Sequence, residues 1–415
     1  MTRLVLSISI IFLLMACDDS SVTYKSSDLS DANVYLSSSP YSDVIANCIR
    51  ATSEGDFCTL DTLPFLGMDT SNPDISDIMN RVVVSHDWMG ERFQEVLSAL
   101  PIKMLPLFKA VTAIVIDDDI RPAYYTRSTA AIYLDPAYLW LSLSEKRSIN
   151  PKEDFRAGFA DDLNFSALFR YVKDGDYAFE YGDLSDNSTR QLEDITLLFS
   201  RLLLHELAHA NDFMPPNSFL GLNTHNTPYE EISDREATWV STGLNNFSPL
   251  NSETMFSLAQ VMHHGEKATN TQKDLRASEV GEAFEPDGAA FTYAYASQFE
   301  DVAMMFEMSM MNYFYNVDAE VAFTTVGYFC YERLIEWGTL NRIGESHVNS
   351  RAEFITTNIL NEISFDTFFQ DFAAPIPTSG DWCRPTSEGS SATVKSNTTK
   401  KPKLVPKEDY LRPYL

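Results

Sequence analysis

Residues 190–213 read RQLEDITLLFSRLLLHELAHANDF, and Pro215-Pro216 follows almost at once. Leu192, Ile195, Leu198, Phe199, Leu202 and Leu203 recur at helical spacing and make one broad apolar face. Proline lacks an N–H and its ring clashes with the preceding turn, so the pair marks the helix end. The final turns carry His205-Glu206-Leu207-Ala208-His209. Positions i and i+4 lie on one face of a helix, one turn apart. Two imidazoles so placed can both reach one ion at about 2 Å. Glu206 lies about 100° further round, beside such an ion and not on it, where a carboxylate can take a proton from water. The expectation is a buried metal-bearing helix with Zn2+ on His205 and His209 and Glu206 as general base.

Two histidines and a water leave a catalytic zinc one protein ligand short. Two acidic candidates lie downstream. Glu236 sits in SDREATW (233–239), 27 residues past His209, and Glu300 in QFEDVA (298–303), 91 residues past it. Periodicity does not choose between them. His263-His264 are adjacent and point in different directions on a helix, so they read as surface histidines. His86, His225 and His347 carry no spacing signal.

The stretch HELAHANDF (205–213) resembles the metal helix of gluzincin zinc metallopeptidases, specifically the branch of the anthrax lethal factor catalytic domain and the Mlc titration factor peptidases. YAYASQFEDVAMMF (293–306) resembles the second motif of that branch. The resemblance implies Glu300 as the third ligand and Tyr293, seven residues before it, as the hydrogen-bond donor to the reaction's oxyanion. It covers these two stretches only. One departure stands out: the family often has a carboxylate supporting a histidine ligand one turn after the glutamate, and here that position is Met304. Asp301, Asp212 and Glu307 are the substitutes in view. The implied fold is α+β, a helix-rich zincin-like domain with a small mixed sheet. The implied substrate is a peptide or protein, paired to an edge strand beside the metal helix. AAIYL (130–134) is the expected edge strand. A non-catalytic envelope scaffold that keeps the fold is the competing reading.

Around this centre the chain has 415 residues, 44% hydrophobic and 12% aromatic, enough for one large globular body. Its net charge of −28 repels phosphate backbones and argues against nucleic acid as a partner. Arg3, the short apolar run 4–15 and Ala16-Cys17 resemble a lipoprotein signal, which implies lipidation of Cys17. The same resemblance implies a place in the cell envelope of a Gram-negative bacterium, anchored to the inner membrane and facing the periplasm. Four cysteines remain, and Cys48–Cys58 with Cys330–Cys383 is the simplest of three pairings in an oxidising compartment. The expected organisation is a signal peptide over 1–17, a flexible Ser- and Asp-rich tether over 18–40, the metallopeptidase body over 41–383 and a basic tail over 384–415. Strands are expected at 110–116 and 130–134. Further helices are expected at 88–107, 229–244, 252–264, 296–315 and 319–337.

Overall fold

The computed structural model describes residues 27–180, 184 and 187–383. Cys17, the 1–17 signal and the 384–415 tail lie outside the described residues.

Two sheets and a layer of helices make the body. The first sheet is mixed. Its strands are β1 (Asn33–Val34), β2 (Val82–Val84), β3 (Ile114–Ile116), β4 (Tyr124–Thr126) and β5 (Ala131–Leu134), in the order β1-β2-β3-β5-β4. β2, β3 and β5 run parallel, while β1 and β4 pair antiparallel at the two ends. The central strands are buried on both faces. Val82, Val84, Ile114, Ile116, Ile132 and Leu134 face the main core, and Val83, Val115, Ala131 and Tyr133 face a second core closed by Ala32, Ile45 and Leu63. That two-sided burial is why these strands read as unbroken apolar runs and not as alternation. It also corrects the tether: residues 27–40 are part of the body, because Ala32 and β1 help cover the second face.

The second sheet is antiparallel. It contains β6 (Phe165–Lys173), β7 (Asp176–Tyr177), β8 (Asp318–Thr325), β9 (Leu334–Leu340), β10 (Ile376–Pro377) and β11 (Gly380–Asp381). Its strands β8 and β9 occupy the stretch expected as a helix over 319–337. Arg170 on β6 and Glu320 on β8 form a buried pair across this sheet at 2.7 Å, and the guanidinium also covers Trp382 at 3.7 Å. Both expected disulfides are present, Cys48–Cys58 and Cys330–Cys383. The second fastens the end of the described chain to the β8–β9 connection.

The longer helices include α1 (Asp87–Ala99), α2 (Leu192–Phe213), α3 (Val240–Phe247), α4 (Glu253–Met262), α5 (Gln298–Tyr315) and α6 (Ser346–Ile359). α1 stops before Pro101, short of the expected 107, and a 3-10 segment Ile102–Ala110 follows. The expected 229–244 helix is broken into Pro228–Ser233, Glu236–Thr238 and α3. α2 and α5 pack against each other along the middle of the body. Together they carry the site. The fold is α+β with two sheets where one was expected. Among the described residues no helix is long and apolar enough to cross a membrane.

Candidate metal centre

From Leu198 onward α2 is buried on nearly every side, its polar residues included, so its last turns lie in the interior. His205 and Glu206 are both buried. α5 begins opposite them, and Ser297 decides where. Its hydroxyl accepts the Glu300 backbone N–H at 3.2 Å, an N-cap that sets Glu300 in the first helical turn. The Glu300 carboxylate then faces both imidazoles. Its Oε2 lies 3.1 Å from His205 Nε2 and 3.4 Å from His209 Nε2. The three ligand atoms are all within 4.8 Å of one another. Ligands about 2 Å from a tetrahedral ion lie roughly 3.3 Å apart. The donor set of two imidazoles and a carboxylate therefore fits one divalent ion in chemistry and in span.

Behind His205 stands Glu307, two turns after Glu300 on α5. Glu307 Oε2 lies 3.0 Å from His205 Nδ1. Its other oxygen accepts from Arg201 Nε and from the Tyr171 hydroxyl, each at 2.8 Å. The carboxylate can only accept in this state, so it holds the proton on Nδ1 and turns Nε2 towards Glu300. Burial opposes the charge on Glu307, but Arg201 and His205 hold its pKa below the ordinary value. Burial pushes the His205 pKa down, and the carboxylates of Glu300 and Glu307 reverse this and lift it to about 10. A metal ion competes with that proton for Nε2.

Glu206 is the unsatisfied member. Its Oε2 is buried and has no hydrogen-bond partner among the described residues. Burial raises its pKa, while His205 and His209 act the other way. A buried carboxylate oxygen with nothing to accept from is placed to accept from a water or to take its proton.

Tyr293 comes to the same place on the 3-10 turn Thr292–Tyr295. Its ring lies nearly parallel to the His205 ring, with centroids 6.3 Å apart and planes inclined by 20°. Burial and then the Glu300 charge raise its pKa well above the ordinary phenol value, so its hydroxyl stays a donor. Neighbouring Tyr295 is a core residue bonded to Asp287 at 3.0 Å.

The remaining sequence candidates separate from this group. Glu236 is exposed on its 3-10 turn and is not part of the ligand group. Asp301 pairs with Arg351, its Oδ1 lying 3.1 Å from Nη1. Asp212 accepts the Ser241 backbone N–H at 2.6 Å. Met304 is core. His263 is no surface residue: it is partly buried with its ring 5.0 Å from Tyr293. Burial, then His264 and Arg156, lower its pKa to about 3.

The stretch 130–134, expected as the edge strand, is a central one. β5 pairs with β3 on one side and β4 on the other, so it offers no free edge. β4 ends the sheet and packs on α2. Sequence reading also missed Arg156. It is buried, pairs with Asp154 at 2.8 Å, and its charge acts on Glu206, Tyr293 and His263. Nothing local in FRAGF (155–159) marks it.

Comparison with protein-family models, with curated proteins and with solved structures finds no match for this chain.

Proposed function

We propose that the protein is a zinc-dependent peptidase of the gluzincin type. One observation carries the reading: His205, His209 and Glu300 converge from two helices, with the unsatisfied Glu206 carboxylate beside them. A purely structural site has no use for a general base at its side.

His205, His209 and Glu300 would hold the ion. A zinc ion bound there supplies a Lewis acid that acidifies water and polarises a carbonyl. Glu206 takes the proton from the attacking water through Oε2 and passes it to the departing amine. The Tyr293 hydroxyl donates a hydrogen bond to the oxyanion as the carbonyl becomes tetrahedral. Glu307 fixes the His205 ring throughout, through Nδ1. The free edge of β4 takes the substrate backbone in an extended form, which tolerates many side chains.

The two disulfides accord with an oxidising compartment. Together with the signal-like start of the chain and Cys17, they support a lipid-anchored protein of the cell envelope acting on peptides or proteins there. The test is metal analysis of the purified full chain combined with a peptide-library digest. Zinc near one equivalent, with cleavage lost in Glu206→Gln, is the expected result. Equal cleavage by that variant would sink the mechanism.

A further inference from the structure

Arg127 directly follows the edge strand β4 and is a cation without an acidic partner. It makes no hydrogen bond or ion pair among the described residues. The chain has 59 acidic residues against 31 basic ones, so an uncommitted arginine is conspicuous. Three aromatic rings hold it instead. The guanidinium lies 5.4 Å from the Phe213 ring, 5.3 Å from Trp239 and 5.9 Å from Tyr229. Such faces orient a guanidinium without consuming its N–H donors.

The same rings lead to the metal centre. Phe213 closes α2, one turn beyond His209. Its ring is 4.9 Å from Phe299, the residue before Glu300. Tyr125 on β4 stacks on Phe213 at 5.8 Å. Residues two apart on a strand share a face, so Arg127 continues the side of β4 that Tyr125 turns towards α2. A peptide added to the free edge of β4 would therefore pass both the ligand group and this guanidinium.

We infer that Arg127 is a specificity residue that binds a carboxylate of the substrate peptide, an acidic side chain or a free C-terminus, beside the cleavage position. This rests on the peptidase reading for the path of the peptide. The five donors of a guanidinium suit a carboxylate, and bonds between charged partners outweigh neutral ones.

The experiment uses the full-chain Glu206→Gln protein with zinc, so that peptides bind without being consumed. The probes are decapeptides in Glu/Gln pairs at each position, each with a free or amidated C-terminus, and retained peptides are quantified by mass spectrometry. At one position, or at the free C-terminus, the carboxylate form should be retained about tenfold over its neutral counterpart. Arg127→Met should erase that difference without a large change in melting temperature. Should the Met variant unfold, Arg127→Gln decides by the same reading. No carboxylate preference in the parent, or an equal preference in a folded Arg127 variant, overturns the inference. Cleavage of the library by the wild-type chain reads the peptidase proposal separately. An Arg127-dependent preference without cleavage sinks only the peptidase reading. Cleavage without the preference sinks only this one.

Discussion

The inner wall of the metal centre and its outer rim are built on opposite terms. On the inner wall His205, Glu307, Arg201 and Tyr171 are buried and bonded to one another. On the rim Tyr293 and Arg127 are only partly buried, and Arg127 rests on rings alone. Glu206 stands between them, buried like the wall, yet its Oε2 has no hydrogen-bond partner among the described residues. The difference assigns duties. A fully satisfied network fixes geometry, whereas groups with spare hydrogen-bonding capacity meet something that arrives later.

That division can be broken at graded points. The largest effect belongs to Glu206→Gln. Turnover should fall by roughly 10³-fold or more while bound zinc stays constant, read by steady-state cleavage beside metal analysis. Next comes the wall: Glu307→Gln should weaken zinc binding about 10- to 100-fold, measured by chelator competition. It should also lower the melting temperature, since Arg201 loses its buried anion. Unchanged metal affinity would show that the wall does not orient His205. Tyr293→Phe on the rim should lower kcat by about tenfold to a hundredfold, leaving both metal affinity and melting temperature where they were. A loss of zinc in that variant would erase the distinction between wall and rim.

The smallest effect is a pH dependence at Asp212. Burial raises its carboxyl pKa from 3.8 to about 7 in the fold. The native state therefore binds the proton more tightly than the unfolded chain. Stability carried by that proton is present at low pH and is lost as pH rises from near 4 to near 7. Asp212→Asn should match the metal-free wild type near pH 4 and exceed it by at least about 1 kcal/mol above pH 7, as followed by urea unfolding. A gap that does not widen with pH would show that the buried carboxyl does not carry this dependence.

The sequence made the wall more legible than the rim. His205, Glu206 and His209 are neighbours on one helix, so spacing alone brought them together. Glu300 was one of two open candidates until the resemblance favoured it, and the Ser297 cap places it. Glu307 was in view as a substitute for the carboxylate missing at Met304; its place two turns along α5 gave no sign of its pairing with His205. The rim depends on strand order. AAIYL at 130–134 is apolar because it is central in its sheet, and the true edge is the less conspicuous Tyr124–Thr126. The stretch 319–337 was read as helix because β8 is buried on both sides, even at Glu320. That burial removed the alternation that marks a strand.

The Glu307 carboxylate is held by protein donors. Because Arg201 and Tyr171 already peg this carboxylate in place, the setting of the His205 ring does not depend on a bound ion. Stripping the ion with a chelator should leave a folded shell that refills at once on adding zinc back, with no slow recovery phase. Emptying and refilling this protein would be an exchange of contents, and its architecture would not need to be assembled again.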